Sequence, residues 1–483
     1  MNNILRKFKL DDLIYKFGKE SANIFSKGEF TKLYRVKRVF YQKKLASFEV
    51  LQTIWNMIDI IYLAICSTND YRGKKVGELD MMFITKAYLD YDEEKSGEYL
   101  SKVDEDEMIL SIIYGHGQEE FMYQSIGLMR EDACRNLELL MNIPKEIKSN
   151  INIEEVVQQV LGMTCKEYIN NLMALFLISC IDNNVTEIEI PDLISKNIYV
   201  SKDNIYKIRE YYSLKYKDYR SSSLGKHFVK IKPIIKTDNN RYIVSNVYLM
   251  YEKLIDGLYW IVREFYKEKD SQDFVSEFGY FYEKYFENLL NTYLNEYKFE
   301  KLEESKKEKV CDWKLETNKY IILIEQKTAL IMEKTKEIYT DAKIIKEYLF
   351  KKILKGFEQL EESELKLKKN NKKVIKILLH YENLYDQVIL EDEIKKELRK
   401  KSDKKYENIF MMQTREIERM VYILSKDEEL FNDIIERKLE LEKESLANKR
   451  SFLTLMLDFG VDGGNDYLDK KINHIEKILQ KFK

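Results

Sequence analysis

Apolar positions along this chain follow a helical rhythm at both ends and a strand-like one in the middle. Over the first 220 residues apolar side chains recur at three-to-four spacing, predicting amphipathic helices around 29–66, 118–142, 153–181 and 203–217. Pro144 and Pro191 fall at breaks between them. Arg220-Ser221-Ser222-Ser223-Leu224-Gly225 reads as a linker. Beyond it, Phe228-Val229-Lys230-Ile231-Lys232-Pro233 and Arg241-Tyr242-Ile243-Val244 flank Asp238-Asn239-Asn240, which predicts a hairpin leading into a helix over 248–267. A helix is expected from about Asp273 to Tyr297, then a short strand at Lys298-Phe299-Glu300-Lys301-Leu302. Further strands are expected around Asp312, at Ile321–Lys327, at Lys373–His380 and at Asn408–Met412, with a long amphipathic helix from about Lys336 to Leu360. From Arg415 the pattern is again helical and highly charged, broken by Gly460-Val461-Asp462-Gly463-Gly464-Asn465. No repeat of fixed period is present.

The run Ile321-Ile322-Leu323-Ile324-Glu325-Gln326-Lys327 carries the chemistry. In a strand, residues two apart share a face, so Glu325 and Lys327 lie together and Gln326 points away. Asp312 precedes Glu325 by thirteen positions. The polar break Glu316-Thr317-Asn318-Lys319 between them reads as a turn. With Thr317-Asn318 as a two-residue loop, Asp312 is expected opposite Leu323, diagonal to Glu325 at about 7–8 Å between Cα atoms. Glu-x-Lys by itself carries little weight in a chain with 34% charged residues, and it recurs at Glu93/Lys95 and Glu364/Lys366 among others. The copy at 325–327 differs because it ends an apolar run and follows a hairpin bearing an aspartate.

Asp312 followed by Glu325-Gln326-Lys327 after a buried strand resembles the PD-(D/E)xK nuclease superfamily. That resemblance implies a restriction-endonuclease-like α/β core: a helix, a three-stranded meander, a crossover helix and a further strand, laid over roughly 270–420 here. Cys311 stands where the family has proline. The family also implies an acidic residue from the first helix. Glu283 sits about 100° from the centre of the apolar stripe of Val275, Phe278, Tyr282, Phe286, Leu289 and Tyr293, nearer than Glu277 or Glu287 at about 140°. Gly279-Tyr280-Phe281-Tyr282-Glu283 is also similar to the Gly-x-x-aromatic-Glu of some of these nucleases. Gln359, late in the crossover helix, is a further polar candidate. The implied activity is metal-assisted phosphodiester hydrolysis, with Asp312, Glu325 and Glu283 holding Mg²⁺ or Mn²⁺ and Lys327 orienting water and offsetting charge on the phosphate.

The expected organisation is a mostly helical amino-terminal domain (1–220) for sensing or partner binding and a connecting region (221–267). A nuclease-like core (268–425) and a helical carboxy-terminal segment (426–483) complete it. A helical domain beside such a core resembles bacterial anti-phage and restriction proteins, which implies a trigger or protein partner. DNA is the expected substrate; RNA, or a non-catalytic sensor or scaffold role, are the alternatives. A homodimer would provide double-strand cleavage.

With 483 residues, 45% hydrophobic, the chain suffices for two or three domains. Its formal charge of −2 gives no global basic field. Local basic runs do occur at Lys306/Lys307/Lys309, Lys366/Lys368/Lys369/Lys372/Lys373 and Lys400/Lys401/Lys404/Lys405, each beside an expected core strand. Phosphate contacts are one reading of them and an ordinary solvated surface the other. Five cysteines lack C-x-x-C spacing, so no zinc or iron–sulfur motif is present. The four histidines are too dispersed to read as a triad, although His380 ends a core strand. The 35 tyrosines offer stacking surfaces for bases but fit core packing at helical spacing. Asp458-Phe459-Gly460 matches a kinase triplet without its companion motifs. The amino terminus lacks a signal-peptide core, and the longest apolar run, near Leu172 to Ile181, is too short to span a membrane. A reduced, cytoplasmic protein is expected.

Overall fold

The computed structural model describes residues 1–41, 44–67, 73–112, 126–221, 225–302, 310–328, 342–347, 351–367, 371–401, 406–461, 465–468 and 470. It is a mixed α/β protein that shows, among the described residues, three sheets of two, three and five strands. The chain divides into two compact units. One comprises Met1–Val103, Tyr123–Met141 and Asn150–Phe274; the other comprises Asp104–Met122, Asn142–Ser149 and Val275–Lys483. The expected connecting region at 221–267 thus belongs to the first unit, and the carboxy-terminal segment to the second.

In the first unit, helix α1 (Leu10–Phe25) precedes a long antiparallel hairpin, β1 (Thr31–Tyr41) and β2 (Lys44–Thr53). The helix expected over 29–66 therefore forms only in its second half, as α2 (Ile54–Ser67). The physical reason lies in the sequence: Val36, Val39, Phe40, Tyr41 and Val50 are β-branched or aromatic, residue types that suit a pleated surface. Helix α3 (Glu78–Leu100) follows. The segment expected at 153–181 is two helices, α4 (Ile153–Leu161) and α5 (Cys165–Ile181). Gly162 ends the first with a left-handed φ of 65°, and Thr164 caps the second by accepting from the Glu167 N–H.

Helix α6 (Lys202–Tyr211) leads to β3 (Ser213–Lys215), which pairs with β4 (Ile234–Lys236), itself paired antiparallel with β5 (Tyr242–Val244). The first arm of the expected 228–244 hairpin is thus displaced: His227–Ile231 is helical, and the strand begins after Pro233. Helix α7 (Val247–Glu268) completes the unit, capped by Asn246. Part of the expected helix at 118–142 and the linker core at 222–224 lie outside the described residues.

Helix α8 (Asp273–Tyr293) leads into the five-stranded sheet of the second unit. Strands β6 (Lys298–Lys301), β7 (Trp313–Glu316) and β8 (Tyr320–Lys327) form an antiparallel meander. Helix α9 (Lys351–Lys366) lies between β8 and its parallel neighbour β9 (Lys373–His380). Helix α10 (Gln387–Lys401) then connects to β10 (Ile409–Gln413), parallel to β9. Helices α11 (Thr414–Lys426), α12 (Glu428–Leu441) and α13 (Phe452–Asp458) follow. The expected crossover helix at 336–360 is described only in part, since 336–341 and 348–350 lie outside the described residues.

Strand alternation gives the sheet two differently covered faces. On one, Ile321, Leu323, Leu378, Ile409 and Met411 pack with Ile353, Phe357 and Leu360 of α9 and Leu390, Ile394 and Leu398 of α10. On the other, Ile322, Ile324, Ile377 and Met412 meet Ile417, Met420 and Val421 of α11 and Phe431 of α12. Helix α8 joins that second face through an edge-to-face contact of Phe286 with Trp313, at 5.7 Å between ring centroids. A sheet buried on both sides explains why β8 and β9 read as continuous apolar runs.

Candidate active site

The site forms where β8 emerges from under α9. The register pairs Trp313 with Ile324 and Glu316 with Ile321. Carried one residue further, it sets Asp312 opposite Glu325 rather than diagonal to it. The correction arises in the turn. Thr317 is not a loop residue: its N–H donates to the Tyr320 carbonyl at 3.0 Å, leaving Asn318-Lys319 as the loop. The Thr317 hydroxyl also accepts from the N–H groups of Lys319 (3.3 Å) and Tyr320 (3.0 Å), a local bond that fixes the turn. The register differs from expectation by two residues, so every side chain keeps its face while the two carboxylates move closer.

Asp312 is locked by the backbone of the partner strand, its Oδ2 accepting from the Gln326 N–H at 2.6 Å. Its own carbonyl accepts from the Leu302 N–H at 2.8 Å, tying it to the β6 side. Glu325 is only 2% exposed. The Lys327 ammonium donates to Glu325 Oε1 and, at 3.1 Å, to Oε1 of Gln359. A buried carboxylate needs such a partner, because an ion without one is costly in a low-dielectric interior. His380, the register partner of Lys327, is 1% exposed and bonds the Glu382 carbonyl through Nδ1 at 2.9 Å.

Helix α9 supplies the third side. Gly356, Gln359 and Ser363 recur at i, i+3 and i+7, one face of a helix. Gly356 permits the close approach: a Cβ there would meet Leu378 Cδ1 and lie 3.2 Å from Lys327 Cε and 3.5 Å from Glu325 Cγ. Gln359 reaches Lys327 as a result. Ser363 accepts from the Cys311 N–H at 2.7 Å and donates to the Gln359 carbonyl at 2.7 Å. One helix face therefore fixes both the lysine and the backbone just before Asp312. Burial pushes the Cys311 thiol up to about 12, and the charges of Glu325 and Asp312 add to that, so it packs as a neutral core residue.

Glu283 does not join this group. Its helix, α8, covers the opposite face of the sheet, and its carboxylate pairs with Lys301 at 2.5 Å. Lys301 is the register partner of Trp313 and shares that residue's face. Partial burial works against the Lys301 charge, but the hydrogen bond to Glu283 and the charges of Glu283 and Asp312 outweigh it and hold its pKa above the ordinary value. Lys301 is thus a cation near Asp312 that no sequence pattern marks. Gln326 faces away as expected: its Oε1 accepts from Trp313 Nε1 at 2.7 Å.

Of the two hard carboxylates, the almost fully buried Glu325 carries the Lys327 ammonium and Asp312 has Lys301 near it. Among the described residues no group of three or more His, Cys, Asp or Glu side chains is placed to hold a metal ion. Two carboxylates still match the needs of Mg²⁺, which keeps several waters and binds through one or two carboxylates plus substrate phosphate. Of the basic runs, Lys306, Lys307, Lys309, Lys368, Lys369, Lys404 and Lys405 lie outside the described residues. Lys372 donates to the Thr317 carbonyl at 2.8 Å, and Lys400 pairs with Glu397 at 3.0 Å. Among the described residues no helix is long and apolar enough to cross a membrane. Comparison with protein families, with curated proteins and with solved structures finds no match to this chain.

Proposed function

We propose that this chain is a metal-dependent nuclease that hydrolyses phosphodiester bonds in DNA, built on a restriction-endonuclease-like core. The single observation that carries the reading is Asp312 bonded to the Gln326 N–H, the residue next to Glu325, with Lys327 bonded to that glutamate. The order of helix, antiparallel meander, crossover and parallel strand supports it. Asp312 and Glu325 would hold Mg²⁺ or Mn²⁺; Glu283, paired with Lys301 on the other face, is left out of the ligand set. A bound ion of this kind polarises a phosphate and lowers the pKa of a coordinated water.

The remaining work falls to the protein. Lys327 neutralises Glu325 and offsets negative charge that builds on the phosphate during displacement. Gln359 holds the lysine in place, and Gly356 lets the helix come near enough for it to do so. The test is cleavage of labelled DNA and RNA with Mg²⁺, with Mn²⁺ and with EDTA. The reading requires metal-dependent cleavage of DNA that Asp312→Ala or Lys327→Ala abolishes in a folded protein. Cleavage of RNA alone would make the chain an RNase, and no cleavage under any condition would leave a scaffold role.

A further inference from the structure

The β1–β2 hairpin of the first unit is strongly basic. Residues 31–53 contain Lys32, Arg35, Lys37, Arg38, Lys43 and Lys44 against a single acid, Glu49, in a chain whose formal charge is −2. The two strands form a sheet of their own. Their lower half is anchored. Val36 and Val50 are buried, Gln52 donates to the Thr85 hydroxyl of α3 at 3.1 Å, and Phe48 meets Phe83 of α3 at 5.9 Å between centroids. Lys32 is held by Glu20 of α1 at 3.0 Å.

The upper half differs. The register shifts between Val36 and Val39, a bulge at which Arg38 adopts a φ of 52° and its N–H donates to the Ser47 hydroxyl at 3.1 Å. Bulges bend a strand and re-aim its side chains. Lys37 and Arg38 are exposed there, and no ion pair with a described residue engages either. Leu45, further along, is 64% exposed. Pairing continues to Tyr41 and Lys44, so the ribbon keeps its form beyond the anchored half.

We infer that this hairpin is a binding arm for duplex DNA, entering the major groove with Lys37 and Arg38 on the phosphates. Two strands lie about 4.8 Å apart, and the B-form major groove, about 12 Å wide, admits a two-stranded ribbon. The paired stretch beyond the bulge, Val39 to Tyr41, at about 3.3 Å per residue extends about 10 Å, a little more than the groove depth of about 8.5 Å. The major groove of an A-form RNA duplex is too narrow for this. The inference does not rest on the hydrolytic reading, because binding is measured without metal.

The test is fluorescence anisotropy of the full chain with a labelled DNA duplex in EDTA, titrated at several salt concentrations. The variants are Lys37→Gln/Arg38→Gln and a control of equal charge change at exposed lysines of the same unit, Lys75→Gln/Lys196→Gln. Losing two phosphate contacts should flatten the slope of log affinity against log salt by about 1.8, so that between about 50 and 200 mM salt the wild type loses about 12-fold more affinity than the hairpin variant. Lys37→Gln alone, free of the strained backbone at Arg38, should show about half that change in slope. The control pair should keep the wild-type slope, and an RNA duplex should bind less tightly. A wild-type slope in the hairpin variants, equal flattening in the control, or equal binding of duplex RNA would each overturn the inference. In the first case the charges serve only to keep two open strand edges from pairing with other chains.

Discussion

Replacing Gly356 by alanine separates close packing at the site from simple helix propensity. Gly356 lies inside α9, where alanine in place of glycine favours a helix by about 1 kcal/mol. The new Cβ would collide with Leu378, which is fully buried, and press on Lys327 Cε at 3.2 Å and Glu325 Cγ at 3.5 Å. Overpacking of this kind costs about 1–3 kcal/mol, so the net expectation is a loss of about 0–2 kcal/mol. Gly97 is the matched reference. It lies in α3, is exposed, and has no heavy atom within 4 Å of a built Cβ. Gly97→Ala should stabilise its unit by about 0.5–1 kcal/mol. Urea denaturation reads both. As α9 is pushed off β8, the hydrogen bond from Lys327 to Gln359 should lengthen, and a bond to a charged group is worth about 1.5–3 kcal/mol. On the proposed function, cleavage by Gly356→Ala should fall about tenfold, which corresponds to about 1.4 kcal/mol in the barrier. If Gly356→Ala stabilises the protein as Gly97→Ala does, the close approach of helix to strand is wrong.

Other consequences follow from the same geometry. Ser363→Ala removes the acceptor of the Cys311 N–H and should cost about 1–3 kcal/mol by denaturant titration, whereas Ser363→Thr, which keeps the hydroxyl, should cost less. Tyr285→Phe removes the hydroxyl that donates to Glu418 Oε1 at 2.6 Å, and because Glu418 is fully buried the expected loss is again about 1–3 kcal/mol. Burial opposes the charge on Asp392, but its bonds to Lys449 and Lys396 outweigh that and hold its pKa below the ordinary value; Glu442 is lowered likewise by Lys395 and Lys438. Depressed carboxylates stabilise the fold above their unfolded pKa of about 4 and lose that contribution as pH falls through the lower folded values. Melting temperature should therefore drop on acidification below about pH 4, and Asp392→Asn should make the drop shallower.

Strands β8, β9 and β10 were legible because burial on both faces leaves an unmistakable apolar signature; Lys373–His380 is delimited to the residue. Register was harder. The polar residues 316–319 mark a turn, but only the Thr317 hydroxyl, bonding forward to the Lys319 and Tyr320 N–H groups, decides which two form the loop. Glu325 and Lys327 could be placed on one face by alternation alone, and Asp312 with them once the turn is given a two-residue loop. Glu283 could not, because the helical wheel shows which side of a helix is apolar but not which face of the sheet that helix covers. Gly356, Gln359 and Ser363 did carry a signal, a small residue and two polar ones on a single helical face. In the amino-terminal region the β1–β2 hairpin escaped a reading tuned to helical spacing, since Gln42-Lys43 between its strands offers no glycine, asparagine or proline to announce a turn.

The most direct measurement is the initial rate of DNA cleavage in Mg²⁺ by the wild type and by Asp312→Asn, a change that keeps shape and removes only charge, with Glu283→Gln alongside. The account predicts metal-dependent cleavage that Asp312→Asn abolishes, while Glu283→Gln retains most of it and both variants melt near the wild-type temperature. Equal rates for Asp312→Asn and the wild type, or loss through Glu283→Gln alone, would contradict it.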